Sequence, residues 1–195
     1  LREALNAEGK PVVAALAPKT SAQQRGLLYE AHDYALLSKA ANAVFLMTYE
    51  WGYTYGEPQA IAPLPQVRAV LDYALSVTAG ENIFLGAPLY AYDWPLPYEK
   101  GRTRAETFSS QAAVARARLV GAEIEFDETA RSPCYHYFDK MRREHVVWFE
   151  DARSLRAKIA LAAEKGLQGI GFWQAGRELA QAWPLLDALV TLETL

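Results

Sequence analysis

Ala43-Val-Phe-Leu-Met-Thr-Tyr49 is an apolar run of strand length, and His32 to Ala41 before it spaces Tyr34, Leu36, Leu37 and Ala40 at helical intervals. The pair reads as a helix feeding a buried strand. The strand pattern recurs at Lys10-Pro-Val-Val-Ala-Ala-Leu-Ala-Pro18, Asn82-Ile-Phe-Leu-Gly-Ala-Pro88 and Leu167-Gln-Gly-Ile-Gly-Phe-Trp173. Near-continuous apolar runs suit strands buried on both faces, as in parallel sheets. Pro63 and Pro65 open a helix predicted over Gln66–Val77, with Val67, Val70, Leu71, Ala74 and Leu75 on one face. A further helix is predicted from Asp151 to Lys165. Strands separated by helices imply a parallel sheet with right-handed crossovers, doubly wound or barrel-shaped. Neither G-x-G-x-x-G nor G-K-[ST] follows any strand, which removes the main support for a nucleotide-binding fold. The expectation is an α/β fold, the C-terminal half of a (β/α)8 TIM barrel.

Between the last two of these strands the texture changes. A helix is predicted at Ser109–Leu119 and short strands near Glu123–Phe126, Tyr135–Phe138 and His145–Phe149, with Asp139–Glu144 as a charged turn. This reads as a small α+β insertion. The expected division is barrel elements over 1–97, insertion over 98–150, and a last helix-strand-helix over 151–195.

The chain has 195 residues, 51% hydrophobic and 22% charged, as globular domains do. Its net charge of −3 and the lack of any Lys/Arg run give no footprint for nucleic acid or an anionic membrane surface. No apolar stretch approaches the ~20 residues of a membrane span. Cys134 is the only cysteine, so no intrachain disulfide forms and no C-x-x-C metal site exists. His32, His136 and His145 lack metal-ligand spacing, so they are expected on the surface or in hydrogen bonds, and neither metal nor cofactor is expected.

In β/α barrels, chemistry sits where strands run out at their C-terminal ends. Those ends hold Met47-Thr-Tyr-Glu50-Trp-Gly-Tyr53, Tyr92-Asp93-Trp94 and Phe172-Trp173, and the insertion contributes Trp148-Phe-Glu150. Aromatic faces beside carboxylates are what a sugar needs, because pyranose C–H faces stack on rings while acceptors take hydroxyl protons. A carbohydrate cleft is the natural inference. Tyr and Trp are also ordinary core residues, Glu50 and Asp93 could serve as caps or loop ion pairs, and Glu150 and Asp151 suit a helix N-terminus.

Met47-Thr48-Tyr49-Glu50 resembles the M-x-Y-D motif that ends strand six of family 18 glycoside hydrolases, and Trp173 matches their strand-eight tryptophan. The resemblance is closer still to the bacterial spore cortex-lytic or sporulation-specific members. Phrases like theirs occur in order: Ala15-Leu-Ala-Pro-Lys19, Met47-Thr-Tyr-Glu-Trp-Gly-Tyr53, Gly86-Ala-Pro-Leu-Tyr90, Tyr92-Asp-Trp94, Val147-Trp-Phe-Glu-Asp-Ala-Arg153 and Gly169-Ile-Gly-Phe-Trp173. The resemblance implies substrate-assisted retaining hydrolysis of a polysaccharide containing N-acetylglucosamine. The sugar's own acetamido oxygen attacks while a glutamic acid protonates the leaving oxygen. It implies that Tyr49 orients the acetamido group, Trp173 floors the pocket and Met47 lines its base. Glu50 stands where the family has Asp. Trp51, Tyr92, Asp93, Trp94 and Trp148 are the further expected sugar contacts. It also implies an extracellular or spore-envelope location.

The family's general acid belongs to D-x-x-D-x-D-x-E at the end of strand four, and that motif is absent here; Glu123-Ile-Glu-Phe-Asp-Glu128 has the wrong spacing. Val12–Ala17 then aligns with strand five, and little catalysis is expected of the chain alone, since general acid–base groups supply ~10²–10⁴ of rate. The alternatives are a glycan-binding module that does not cut and, with less support, a metabolite-binding α/β domain. Exposed half-barrel edges predict self-association.

Overall fold

The computed structural model describes residues 1–190, so the end of the expected 151–195 segment lies outside the described residues. After α1 (Arg2–Ala7) come β1 (Val13–Leu16), α2 (Tyr34–Ala40), β2 (Ala43–Leu46), α3 (Leu64–Leu75) and β3 (Ile83–Pro88). A second group follows: β4 (Tyr90–Pro95), β5 (Glu106–Ser109), α4 (Ser110–Val120), β6 (Glu125–Asp127), β7 (Ser132–Phe138) and β8 (Glu144–Trp148). The chain then returns through α5 (Ala152–Glu164), β9 (Gly169–Trp173) and α6 (Ala182–Leu189).

The first sheet is four-stranded and parallel in the order β1-β2-β3-β9. Alternation along each strand splits its side chains between two faces. Val44 and Leu46 of β2 and Ile83 and Leu85 of β3 are fully buried, in one core with Val67, Val70, Leu71 and Ala74 of α3 and Leu155 of α5. Each of these Val, Leu and Ile side chains contributes about 1.5–3 kcal/mol by leaving water. On the other face the ring of Phe45 lies across two glycines. A Cβ on Gly171 would sit 2.5 Å from that ring, and one on Gly86 would sit 2.4 Å from the Leu46 carbonyl oxygen. Only glycine lets the aromatic lie flat there.

The outer strands differ from expectation. β1 is not buried on both faces: Val13 is 44% exposed, because β1 has a neighbour on one side only. β9, at the other edge, is likewise only partly buried.

The second sheet is five-stranded and antiparallel, in the order β5-β4-β8-β7-β6. It begins earlier than the expected boundary at 98, because Tyr90–Pro95 pairs with β5 and β8 rather than with the parallel strands. α4 packs on one face over Ala91, Phe108, Tyr135, Val147 and Phe149. Ser109 caps α4 by accepting from the Ala112 amide, and Gly121 ends it at φ 69°, the left-handed region that favours glycine. Asp151 and Ser154 form a capping box at the start of α5. Glu150, beside that cap, is instead a fully buried partner of Lys158, with N–O distances of 2.8 and 3.0 Å.

Candidate carbohydrate site

The C-terminal end of β2 runs into Met47, Thr48, Tyr49 and Glu50. Thr48 is fixed by donating its hydroxyl to the Gly86 carbonyl at 2.7 Å, which ties this end to β3. Tyr49 is buried, and Glu50 beyond it adopts φ 71°, a conformation uncommon for any residue but glycine. Such backbone outliers cluster where a side chain must be aimed.

Two tyrosines from β4 hold that side chain. Tyr90 and Tyr92, two apart and so on one face of the strand, both donate their hydroxyls to Glu50. The Tyr92 hydroxyl lies 3.1 Å from each carboxylate oxygen. Burial first, then the Glu50 charge, pushes the Tyr49 phenol up to about 12. The same causes raise Tyr90, and burial leads the rise at Tyr92. All three hydroxyls therefore keep their protons near neutral pH and act as donors.

These groups line a cavity of ≈ 250 Å³ with Thr107, Trp173, Gln174 and Arg177. Trp173, at the end of β9, is 53% exposed, which leaves much of its ring open to a ligand. On the other side of Tyr49 and Glu50 a larger cavity of ≈ 840 Å³ is lined by Met47, Trp51 and Tyr53 and by Pro18, Gln24 and His32 from the segment after β1. His32 is held there through Nδ1, which accepts from the Ala17 amide at 2.7 Å. The other two histidines are also hydrogen-bonded, His136 to Glu144 and His145 to Asp93.

Not every expected sugar contact reaches this cleft. Tyr49, Glu50, Met47, Trp51, Tyr92 and Trp173 line one cavity or the other. Asp93 does not: at 2% exposure it points to the opposite face of β4, where it takes Arg116 at 2.6 Å, Tyr137 at 2.7 Å and His145 at 2.7 Å. Trp94 is fully buried, donates its indole N–H to the Gly56 carbonyl at 2.9 Å, and packs behind Tyr92 with ring centroids 5.4 Å apart and the planes tilted by 55°. Trp148 faces Tyr92 in register but packs on the core and lines neither cavity. Tyr90, Gln174 and Arg177 are the residues missed; for Tyr90 the i, i+2 repeat with Tyr92 was the available signal. Among the described residues no group of His, Cys, Asp and Glu could hold a metal ion.

Comparison with known proteins adds to this geometry. The model of the glycosyl hydrolases family 18 matches residues 1–178. The cortical fragment-lytic enzyme of Bacillus subtilis is 47% identical over 186 residues, covering 95% of this chain and 43% of the relative. The crystal structure of the Bacillus cereus spore cortex-lytic enzyme SleL superposes with a TM-score of 0.90 at 41% identity, over 97% of this chain and 46% of that one. A chitinase from Chromobacterium violaceum shares the fold, with a TM-score of 0.86 at 24% identity over 95% of this chain and 57% of its own. The chain spans less than half the length of the curated relatives it matches.

Proposed function

Since the chain belongs to glycosyl hydrolase family 18, we propose that it forms the second half of a β/α barrel that binds and cleaves a glycan containing N-acetylglucosamine, peptidoglycan of the spore envelope being the favoured polymer. The observation that carries this is the meeting of Tyr49, Glu50 and Trp173 around one cavity at the C-terminal ends of β2 and β9. The half-barrel reading is supported by parallel strands in sequential order with a partly open inner face.

In the proposed reaction the acetamido oxygen attacks its own anomeric carbon while the glycosidic oxygen leaves with a proton. Tyr49 donates to the acetamido oxygen and fixes its direction of attack, a role that needs a hydroxyl still protonated at working pH. Trp173 presents its face to the sugar. The Glu50 carboxylate sets a negative charge near the acetamido nitrogen, which becomes positive as the ring forms. Glu50 receives the hydroxyls of Tyr90 and Tyr92, which hold its side chain at the cavity as an acceptor. The general acid is assigned to a D-x-x-D-x-D-x-E strand that this chain lacks.

A second reading, glycan binding without cleavage, is favoured by that missing motif alone. The test is hydrolysis of peptidoglycan and chitooligosaccharides by this chain beside a longer form carrying the motif, with binding followed in parallel. Cleavage by the long form only supports the proposal. Binding without cleavage in both supports the second reading, and cleavage by the short chain would move the proton donor to a carboxylate within it.

A further inference from the structure

Among the described residues Arg177 is the one basic residue lining the cavity that holds Tyr49, Glu50 and Trp173. Its backbone is fixed by a turn in which its amide donates to the Gln174 carbonyl at 2.9 Å. Its guanidinium has no such anchor: among the described residues it makes no side-chain hydrogen bond, and no carboxylate lies within 4.0 Å of it. Glu50, on the same cavity, is occupied by Tyr90 and Tyr92 instead. Arg177 also borders a neighbouring cavity of ≈ 600 Å³ lined by Leu89, Phe172, Trp183 and Leu186, which offers its aliphatic stem an apolar support.

We propose that Arg177 selects glycans bearing a carboxylate on the 3-O-lactyl arm of alternate sugars, so that the site reads acidic peptidoglycan strands in preference to neutral chitin. This rests on the reading of the cleft as a site for N-acetylated glycan. A neutral polymer has no use for a cation here, whereas an acidic one approaching a chain of net charge −3, beside Glu50, needs one. Arginine stays charged at all relevant pH and meets a carboxylate with two parallel N–H donors, which adds direction to attraction. The carboxylate has two sources, the free lactyl acid itself or an alanine amide-linked to it.

The test is calorimetric binding of four matched oligosaccharides to this chain and to Arg177→Gln: one with free lactyl acids, one with alanyl-lactyl groups, one with the neutral muramic lactam, and chitotetraose. At low salt the wild type is expected to bind at least one acidic ligand about 10-fold tighter than both neutral ones, as one desolvated charge-assisted contact gives. Arg177→Gln removes that advantage, so that acidic and neutral ligands bind alike, and a far-UV circular dichroism spectrum matching the wild type shows the variant is folded. The acidic arm that responds identifies the source. Equal binding of acidic and neutral ligands, or an equal loss for all of them in the variant, overturns the assignment while leaving the glycan reading intact. Binding of none of the four by either this chain or the longer form carrying the acid motif overturns the glycan reading, and this assignment falls with it.

Discussion

Replacing Lys158 by methionine should be among the most damaging single changes in the molecule. Lys158 and Glu150 have side chains 0% exposed, and the ammonium touches both carboxylate oxygens, at 2.8 and 3.0 Å. Methionine keeps most of the stem, so little cavity forms; what is lost is the countercharge. Leaving one member of a buried pair without its partner costs about 3–5 kcal/mol. That is a large part of the ~5–15 kcal/mol that holds a domain together. At about 2–4 °C per kcal/mol for a chain of this size, the melting temperature falls by roughly 6–20 °C. Burial raises the Glu150 carboxyl above its ordinary range, with the Lys158 ammonium pulling the other way. With Lys158 gone, burial is opposed only by the weaker Ser154 hydrogen bond, and the carboxyl rises further. A carboxyl whose folded pKa is raised binds its proton more readily folded than unfolded, so its contribution is fully present below the unfolded value and is lost as pH rises through the folded one. The Lys158→Met penalty should therefore be largest at pH 7 and above and shrink toward pH 5. Adding Glu150→Gln should recover most of the loss. Urea unfolding followed by tryptophan fluorescence at several pH values measures all three. A penalty under about 1 kcal/mol at pH 7, or one independent of pH, would refute the reasoning, because buried unpaired charges cost more than that.

Three further outcomes are expected. Burial pushes the Cys134 thiol up to about 11 from an ordinary 9.0, so iodoacetamide should label it slowly at pH 8 in the folded chain and readily in urea; its share of stability is full below pH 9 and is lost between 9 and 11, which Cys134→Ala would abolish in an alkaline melting series. Gly171→Ala places a methyl against the Phe45 ring and should destabilise by about 1–3 kcal/mol, with Phe45→Leu relieving part of it in the double variant. The free edge of β1 and the exposed Trp183 and Leu36 should drive association, so light scattering at micromolar concentration should give a mass above that of one chain, and a clean monomer would contradict this.

The parallel sheet was legible because each of its strands is a short apolar run between turn residues, and because α3 and α5 carry apolar residues at helical spacing. The second sheet was legible only in its later strands. β4 follows β3 after the single residue Leu89, so Tyr90–Pro95 reads as the exit from a barrel strand when it is a strand of its own. That reading placed Asp93 and Trp94 at the cleft, whereas neither lines a cavity there. Taken as a loop, Tyr92-Asp93-Trp94 looks like one cluster facing a ligand. Taken as a strand, alternation sends Tyr90 and Tyr92 toward Glu50 and Asp93 to the α4 side, where Arg116 waits. Trp94 shares the face of Tyr92 but lies under the segment after Glu50, which pairs Trp51 with Ile61 and Gly52 with Ala60. Nothing in the residues after Trp173 announces that Arg177 lines the cavity, since its position depends on a turn without periodicity.

The same strand explains why the insertion belongs to the site rather than decorating it. Its sheet is closed on one face by α4, and β4 turns its other face to the cleft, so Tyr90 and Tyr92 take their positions from two cores at once. Behind them Trp94 packs at 5.4 Å from the Tyr92 ring, and Asp93 pins the strand between them to Arg116, Tyr137 and His145. Glu50 lies four residues beyond the end of β2, at φ 71°. Its direction is set by hydroxyls carried on β4, and β4 is held in register by the antiparallel ladder. Loosening the Asp93 cluster should therefore be felt at Glu50, although the cluster never touches the cleft.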